Sequence, residues 1–279
     1  MFTGLALLSS LLWGSADFLG GKLSKKFPPL AVTGASQAIG LVVGVSMLTL
    51  SSKWQSPNLS WDGYAISGLI AGLSGFVGLI SYYAGLATGK MGVVAPITSM
   101  SAIIPLIYGV IQGDNPKIVQ FFGMGIALIG CFLASGPEVR SGISIKPILL
   151  GVLTAVMFGV ALVFMARGSK VGSLLTMTTM RVVTVSISLI VALFMRSVGK
   201  LSRNQLPMLA VIGAADFLAN YTLGVATTKG LISVAMVLGS LFPVVTTLLA
   251  FKFLQERLHR AQYVGVFCAV VGVALISAG

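Results

Sequence analysis

Tyr82-Tyr-Ala-Gly-Leu-Ala-Thr-Gly-Lys90 and Tyr221-Thr-Leu-Gly-Val-Ala-Thr-Thr-Lys229 carry the same Tyr, Gly, Ala, Thr and Lys at the same offsets, 139 residues apart. The match extends outward in both directions. A slide of 138 sets Pro105 on Pro243. A slide of 142 sets Gln120, Gly123, Ala127, Gly130, Leu133 and Ser135 on Gln262, Gly265, Ala269, Gly272, Leu275 and Ser277, with Asp114 on Glu256. Near the start, 145 sets Gly14, Ala16, Lys22, Lys25 and Leu30 on Gly159, Ala161, Arg167, Lys170 and Leu175. Four registers in one order with small drift indicate duplication. The chain divides into two related units, 1–137 and 147–279.

The composition says where those units reside. Of 279 residues, 56% are apolar and only 9% charged, with mean hydropathy +1.01. A soluble domain carries roughly 25% charged residues. Seven stretches lack Asp, Glu, Lys and Arg: 27–52, 63–89, 91–113, 118–137, 147–166, 230–251 and 261–279. Each is long enough for the roughly 20 apolar residues of a membrane-crossing helix. Three more qualify if one interior charge is tolerated: 1–21 with Asp17, 171–195 with Arg181 and 204–228 with Asp216. The continuous runs exclude the alternating pattern of an outer-membrane barrel. The expectation is an all-α integral membrane protein of ten transmembrane helices, multi-pass in the cell membrane, whose first run stays as a helix because no positive segment precedes it. Cys131 and Cys268 both lie in apolar runs, so neither a disulfide framework nor a metal site is implied.

Five spans per unit is an odd number, so the second unit enters the membrane from the opposite side. Two inverted five-helix repeats follow, an arrangement that underlies alternating access around a midplane site. The net charge of +12 concerns insertion more than an acidic partner, and no nucleic-acid partner is expected. Twelve of the 18 Lys and Arg fall on the loops after odd-numbered helices, five fall on the other side, and Arg181 lies within a span. That bias alone puts both termini outside.

The stretch Leu12-Trp-Gly-Ser-Ala-Asp-Phe18, the pair Pro28-Pro29 before the second span, Arg181 in the seventh, the Gly-x-Ala-Thr-x-Lys turns and the Gln-x-x-Gly pattern of the fifth and tenth spans resemble EamA-type transporters of the drug/metabolite transporter superfamily. The likeness covers essentially the whole chain and lies in the combined layout. It implies a ten-helix inverted-repeat carrier of small organic metabolites that uses no cofactor. It also implies cytoplasmic termini, against the Lys and Arg count, so orientation stays open. One departure stands out: the family's early arginine of the second span is replaced here by Ser36, followed by Gln37.

Charges at membrane depth are costly and mark sites or partners. Asp17 falls on Leu162 under the repeat and Asp216 on Val77, so the two acids break the symmetry that scaffold features keep. Trp13 and Asp17 are four apart on one helical face, and an aromatic beside a carboxylate suits a cation. Asp216 and Asn220 share a face in the same way, with Tyr221 adjacent and Tyr82 and Tyr83 on the equivalent stretch. Alternatives remain for each. Trp13 suits an interfacial anchor, Asp17 a helix-end pair with Lys22 or Lys25, and Arg181 a structural bridge to Asp216 or a ligand for a substrate carboxylate. The substrate-binding candidates are therefore Trp13, Asp17, Tyr82, Tyr83, Arg181, Asp216, Asn220 and Tyr221, with Asp17 and Asp216 also candidates for proton coupling. Pro105 and Pro243 interrupt backbone hydrogen bonds at repeated positions and are gating candidates.

The partners expected are a small-molecule substrate and the lipid bilayer, and a homodimer is allowed. A secondary-active transporter of an amine, amino acid or related solute fits best, with a passive facilitator or channel as the alternative. An enzyme fits poorly: the single histidine, His259, lies in a polar loop, and no nucleophile elbow, metal cluster, catalytic set or phosphate loop occurs. Asn58-Leu-Ser60 is a formal glycosylation match to which no function is assigned.

Overall fold

A computed structural model describes residues 1–57, 59–88, 91–136, 145–195, 201–254 and 258–279. Asn58 of the glycosylation match lies outside these residues, as do Lys90, Arg140, Arg196, Lys200 and Arg257 of the charge count.

Among the described residues the elements are all helical: α1 (Phe2–Ser24), α2 (Pro29–Ser51), α3 (Tyr64–Ala87), α4 (Met91–Ser99), α5 (Ile103–Ile111), α6 (Ile118–Ala134), α7 (Ile145–Phe194), α8 (Leu206–Lys229), α9 (Ile232–Gly239), α10 (Phe242–Leu254) and α11 (Arg260–Ala278). Pro29 opens α2 at a position where a missing N–H costs nothing. Ser52 closes it in the left-handed conformation.

Eight helical stretches among these residues are long and apolar enough to cross a membrane. The chain is a multi-pass membrane protein. Two features separate this count from the ten expected. First, α6 spans 17 residues, about 26 Å at 1.5 Å per residue, slightly short of a typical bilayer core. Second, residues 145–194 form one helical stretch of 50 residues, interrupted at Gly172, whose φ of −175° and ψ of 106° are extended. An unbroken helix of that length would run about 75 Å, more than twice the hydrocarbon core. Gly172 thus divides α7 into two arms, 145–171 and 173–194.

Two spans are broken near their middles. Residues 93–111 pass from α4 through a 3-10 turn, Met100–Ala102, into α5, and residues 232–253 pass from α9 to α10 across Ser240 and Leu241. Pro105 and Pro243 lie just beyond the breaks and are buried. Proline offers no N–H to the carbonyl four residues earlier, here Ser101 and Gly239. The backbone is therefore loosened at matching places in both units.

Packing follows a paired pattern. Helix α1 lies along α8 while α3 lies along α7; α6 lies along α11. In the α6–α11 contact, a Cβ at Gly123 would meet the carbonyl of Gly272 and one at Gly130 that of Gly265. Gly123 and Gly265 are repeat equivalents, as are Gly130 and Gly272, so the contact maps onto itself when the units are exchanged. Small residues let these backbones touch where dispersion is the main attraction available in lipid.

Candidate functional site

A cavity in the helix bundle is lined by Trp13 and Asp17 of α1, Thr33 and Gln37 of α2, Phe158 and Leu162 on the first arm of α7, Arg181 on the second, Asp216 and Asn220 of α8, and residues of α3. Ser101, in the first broken span, and Phe242, at the second break, also line it. The cavity offers about 80 Å³ to the centres of water-sized molecules, several times the roughly 10–15 Å³ that one water needs. Its wall is mostly apolar.

Small residues bring the charged groups together. Arg181 sits on the arm of α7 packed between α2 and α3. A Cβ at Gly40 would lie 3.2 Å from Arg181 Nε, and one at Gly72 would lie 2.9 Å from the Met180 carbonyl. Close backbone approach therefore holds the guanidinium in the bundle centre, where it is 3% exposed. Arg181 Nη2 donates to Asp216 Oδ2 at 2.9 Å, and its Cζ lies 5.9 Å from the centroid of the Phe217 ring. Gln37 Nε2 donates to the same oxygen at 2.8 Å. The other oxygen, Oδ1, accepts from Trp13 Nε1 at 3.0 Å and from Asn220 Nδ2 at 3.2 Å. Thr184 Oγ1 in turn donates to Gln37 Oε1 at 3.4 Å.

A carboxylate has about four acceptor positions, and all four of Asp216 are taken, by donors from α1, α2, α7 and α8. Asp216 is thus a knot tying four helices across the two units. Asp17 is different. It is 8% exposed, lines the same cavity, and has no hydrogen bond or ion pair among the described residues. Thr33 Oγ1 and Ser101 Oγ, both buried, likewise lack partners there.

Trp13, Asp17, Arg181, Asp216 and Asn220 therefore meet at one place. Trp13 is committed to Asp216 through its indole N–H and packs edge-on against Phe242, with centroids 6.1 Å apart. Tyr82 and Tyr83 lie behind the wall: both are almost fully buried, Tyr82 against Phe158 at 6.0 Å and Tyr83 against α1 under Gly20. Tyr221 is half-buried and packs on the main core. Gln37, Thr33, Ser101, Phe158 and Phe242 were not among the candidates. A signal existed for two of them. Gln37 is a polar residue in an apolar run, and Phe158 is the 145-residue counterpart of Trp13, so the aromatic wall is a repeated feature.

The sequence profile of the EamA-like transporter family matches residues 3–136 and again 145–278. The chain belongs to the EamA-like transporter family. The family profile thus matches the chain twice, as two repeats. An uncharacterized protein of Methanocaldococcus jannaschii is 26% identical over 130 residues, which is 47% of this chain but 95% of that protein. A relative therefore exists whose length is close to one unit. A crystal structure superposes with a TM-score of 0.79 over 99% of this chain and 96% of its own, at 18% identity, a likeness of fold. Family membership makes this a protein of a membrane transporter family for small solutes, with a cavity built from residues of both units.

Proposed function

We propose that this chain is a secondary-active transporter that carries a small polar organic solute, an amine, amino acid or related compound, by alternating access. In this reading the chain has ten spans in two inverted five-helix repeats, 1–137 and 147–279, with Gly172 separating the sixth and seventh spans and α6 serving as a short fifth. The observation that carries the proposal is the cavity itself: charged groups from both units converge on it beside two spans broken at equivalent prolines. Irregular backbone at membrane depth occurs where it lines a cavity. The self-mapping contact of α6 with α11 supports a two-fold relation between the units.

Counterflow in proteoliposomes tests the reading. A solute chosen by its ability to stabilise the purified protein against heat, from amino acids, polyamines, quaternary amines and nucleobases, is expected to show saturable exchange that is faster when unlabelled solute is loaded inside. Non-saturable flux without counterflow would identify a pore or facilitator instead. Asp17, a carboxyl in the cavity without a partner among the described residues, favours proton coupling as an added element. An imposed pH gradient is then expected to drive accumulation in the parent protein and not in Asp17→Asn.

A further inference from the structure

We infer that the cavity selects an organic monocation, with the Asp17 carboxylate as its counter-charge, and discriminates against zwitterions of the same size. The inference rests on the transport-cavity reading above and narrows its substrate class.

The charge balance of the cavity wall carries the argument. Two carboxylates, Asp17 and Asp216, and one guanidinium, Arg181, line it, so with all three ionised the wall carries a net charge of −1. Arg181 and Asp216 neutralise each other at 2.9 Å. Asp216 has no acceptor position left, because Trp13, Gln37 and Asn220 take the others. The group left over is Asp17, nine-tenths buried and without a hydrogen bond or ion pair among the described residues; when ionised it carries the wall's net charge. A buried carboxyl without a partner either holds a proton or is ionised beside a compensating cation. A bound organic cation would be that partner.

The rest of the wall suits the body of such a ligand. Trp13, Phe158 and Phe242 supply aromatic surface, which attracts a cation stripped of water. Thr33 and Ser101 offer hydroxyls that lack partners among the described residues. A zwitterion fits less well, because its carboxylate would need a cation and Arg181 is already matched. An amino acid would have to break the Asp216 knot to bind.

The experiment uses the full chain in lipid nanodiscs and follows thermal unfolding with methylammonium, tetramethylammonium and benzyltrimethylammonium as cations. The neutral control is 2-methyl-2-propanol and the zwitterion is trimethylglycine. At least one cation is expected to stabilise the protein, with the neutral and zwitterionic compounds giving little shift. Loss of a charge-assisted contact in Asp17→Asn is expected to weaken that cation roughly ten- to a hundred-fold, and Asp17→Glu to retain binding. Where Asp17→Asn folds poorly, the parent protein is treated with dicyclohexylcarbodiimide. The best cation is expected to protect the peptide containing Asp17 from modification, and 2-methyl-2-propanol is not. Stabilisation by trimethylglycine equal to that by the cations, undiminished cation binding in Asp17→Asn, absence of any cation effect, or absence of protection would each overturn the inference. The two readings fail differently. Cation binding without counterflow would remove the transporter and leave the site, whereas counterflow of neutral or zwitterionic solutes would do the reverse.

Discussion

The Arg181–Asp216 pair is open to a double-mutant cycle. The contact is 2.9 Å long, with side-chain exposures of 4% for Arg181 and 17% for Asp216. Charge centres in such a contact lie roughly 4 Å apart, and at an effective dielectric of about 20 the attraction is about 4 kcal/mol. Arg181→Met removes the cation but leaves Asp216 with donors from Trp13, Gln37 and Asn220, so a cost near the lower end of the roughly 3–5 kcal/mol for breaking a buried pair is expected. Asp216→Asn strands Arg181 with little beyond the Phe217 ring and is expected to cost about as much or more. The double variant has no stranded charge. Its destabilisation is expected to fall below the sum of the single costs by about 2–4 kcal/mol, the pair attraction less a discount for the partial exposure of Asp216. Equilibrium unfolding by titration of sodium dodecyl sulfate into mixed micelles would read the four corners of the cycle. Additivity within about 0.5 kcal/mol would refute the statement that Arg181 and Asp216 neutralise each other. It would also weaken the charge balance that leaves Asp17 as the cavity's uncompensated group.

Three further outcomes are expected. Lys25 and Lys170 are repeat equivalents and both exposed; introduced singly as cysteines after Cys131→Ala and Cys268→Ala, they should label from opposite faces of sealed vesicles, and labelling from one face would exclude inverted repeats. A Cβ at Gly130 would lie 2.3 Å from the Ala269 backbone nitrogen, whereas one at Gly125 would meet nothing within 4 Å. Gly130→Ala should therefore destabilise by about 1–3 kcal/mol or more and Gly125→Ala should be neutral or stabilise by up to about 1 kcal/mol, as read by the same unfolding titration. Pro105→Ala and Pro243→Ala restore a backbone donor beneath each helix break, so exchange turnover should slow while solute stabilisation of the protein is unchanged; unaltered turnover in both would remove these prolines from gating.

Much of the architecture was legible because membrane insertion writes itself into local composition. Runs of about 20 apolar residues, spaced by short polar loops, give helices whose backbones are satisfied internally. The observed bounds track those runs, from α1 to α11. The repeat was legible for a similar reason: residues that set close approach, such as Gly123, Gly130, Gly265 and Gly272, are constrained by backbone contact and recur at fixed offsets. Where sequence and structure part, the cause is local. The break at Gly172 is a single extended residue between two helical arms, and α6 is short because Pro116 lies just before it and Gly136, at φ 72°, takes the chain into the left-handed region just past its end.

The candidate site divides along the same line. Sequence alone determined that Asp17, Arg181 and Asp216 lie inside apolar runs long enough to span a membrane, that the acids break the repeat, and that Trp13 shares a helical face with Asp17. Those are statements about position along a chain, which periodicity and hydropathy encode. Only the tertiary structure decided that Asp216 is saturated by donors from four helices, that Gln37 joins them, that Tyr82 and Tyr83 stand behind the wall, and that Asp17 faces the cavity with neither Lys22 nor Lys25 as its partner. Which side chains meet depends on the relative rotation and depth of separate helices. That is fixed by glycine contacts such as Gly40 against Arg181, made between residues far apart in sequence, which no local pattern records.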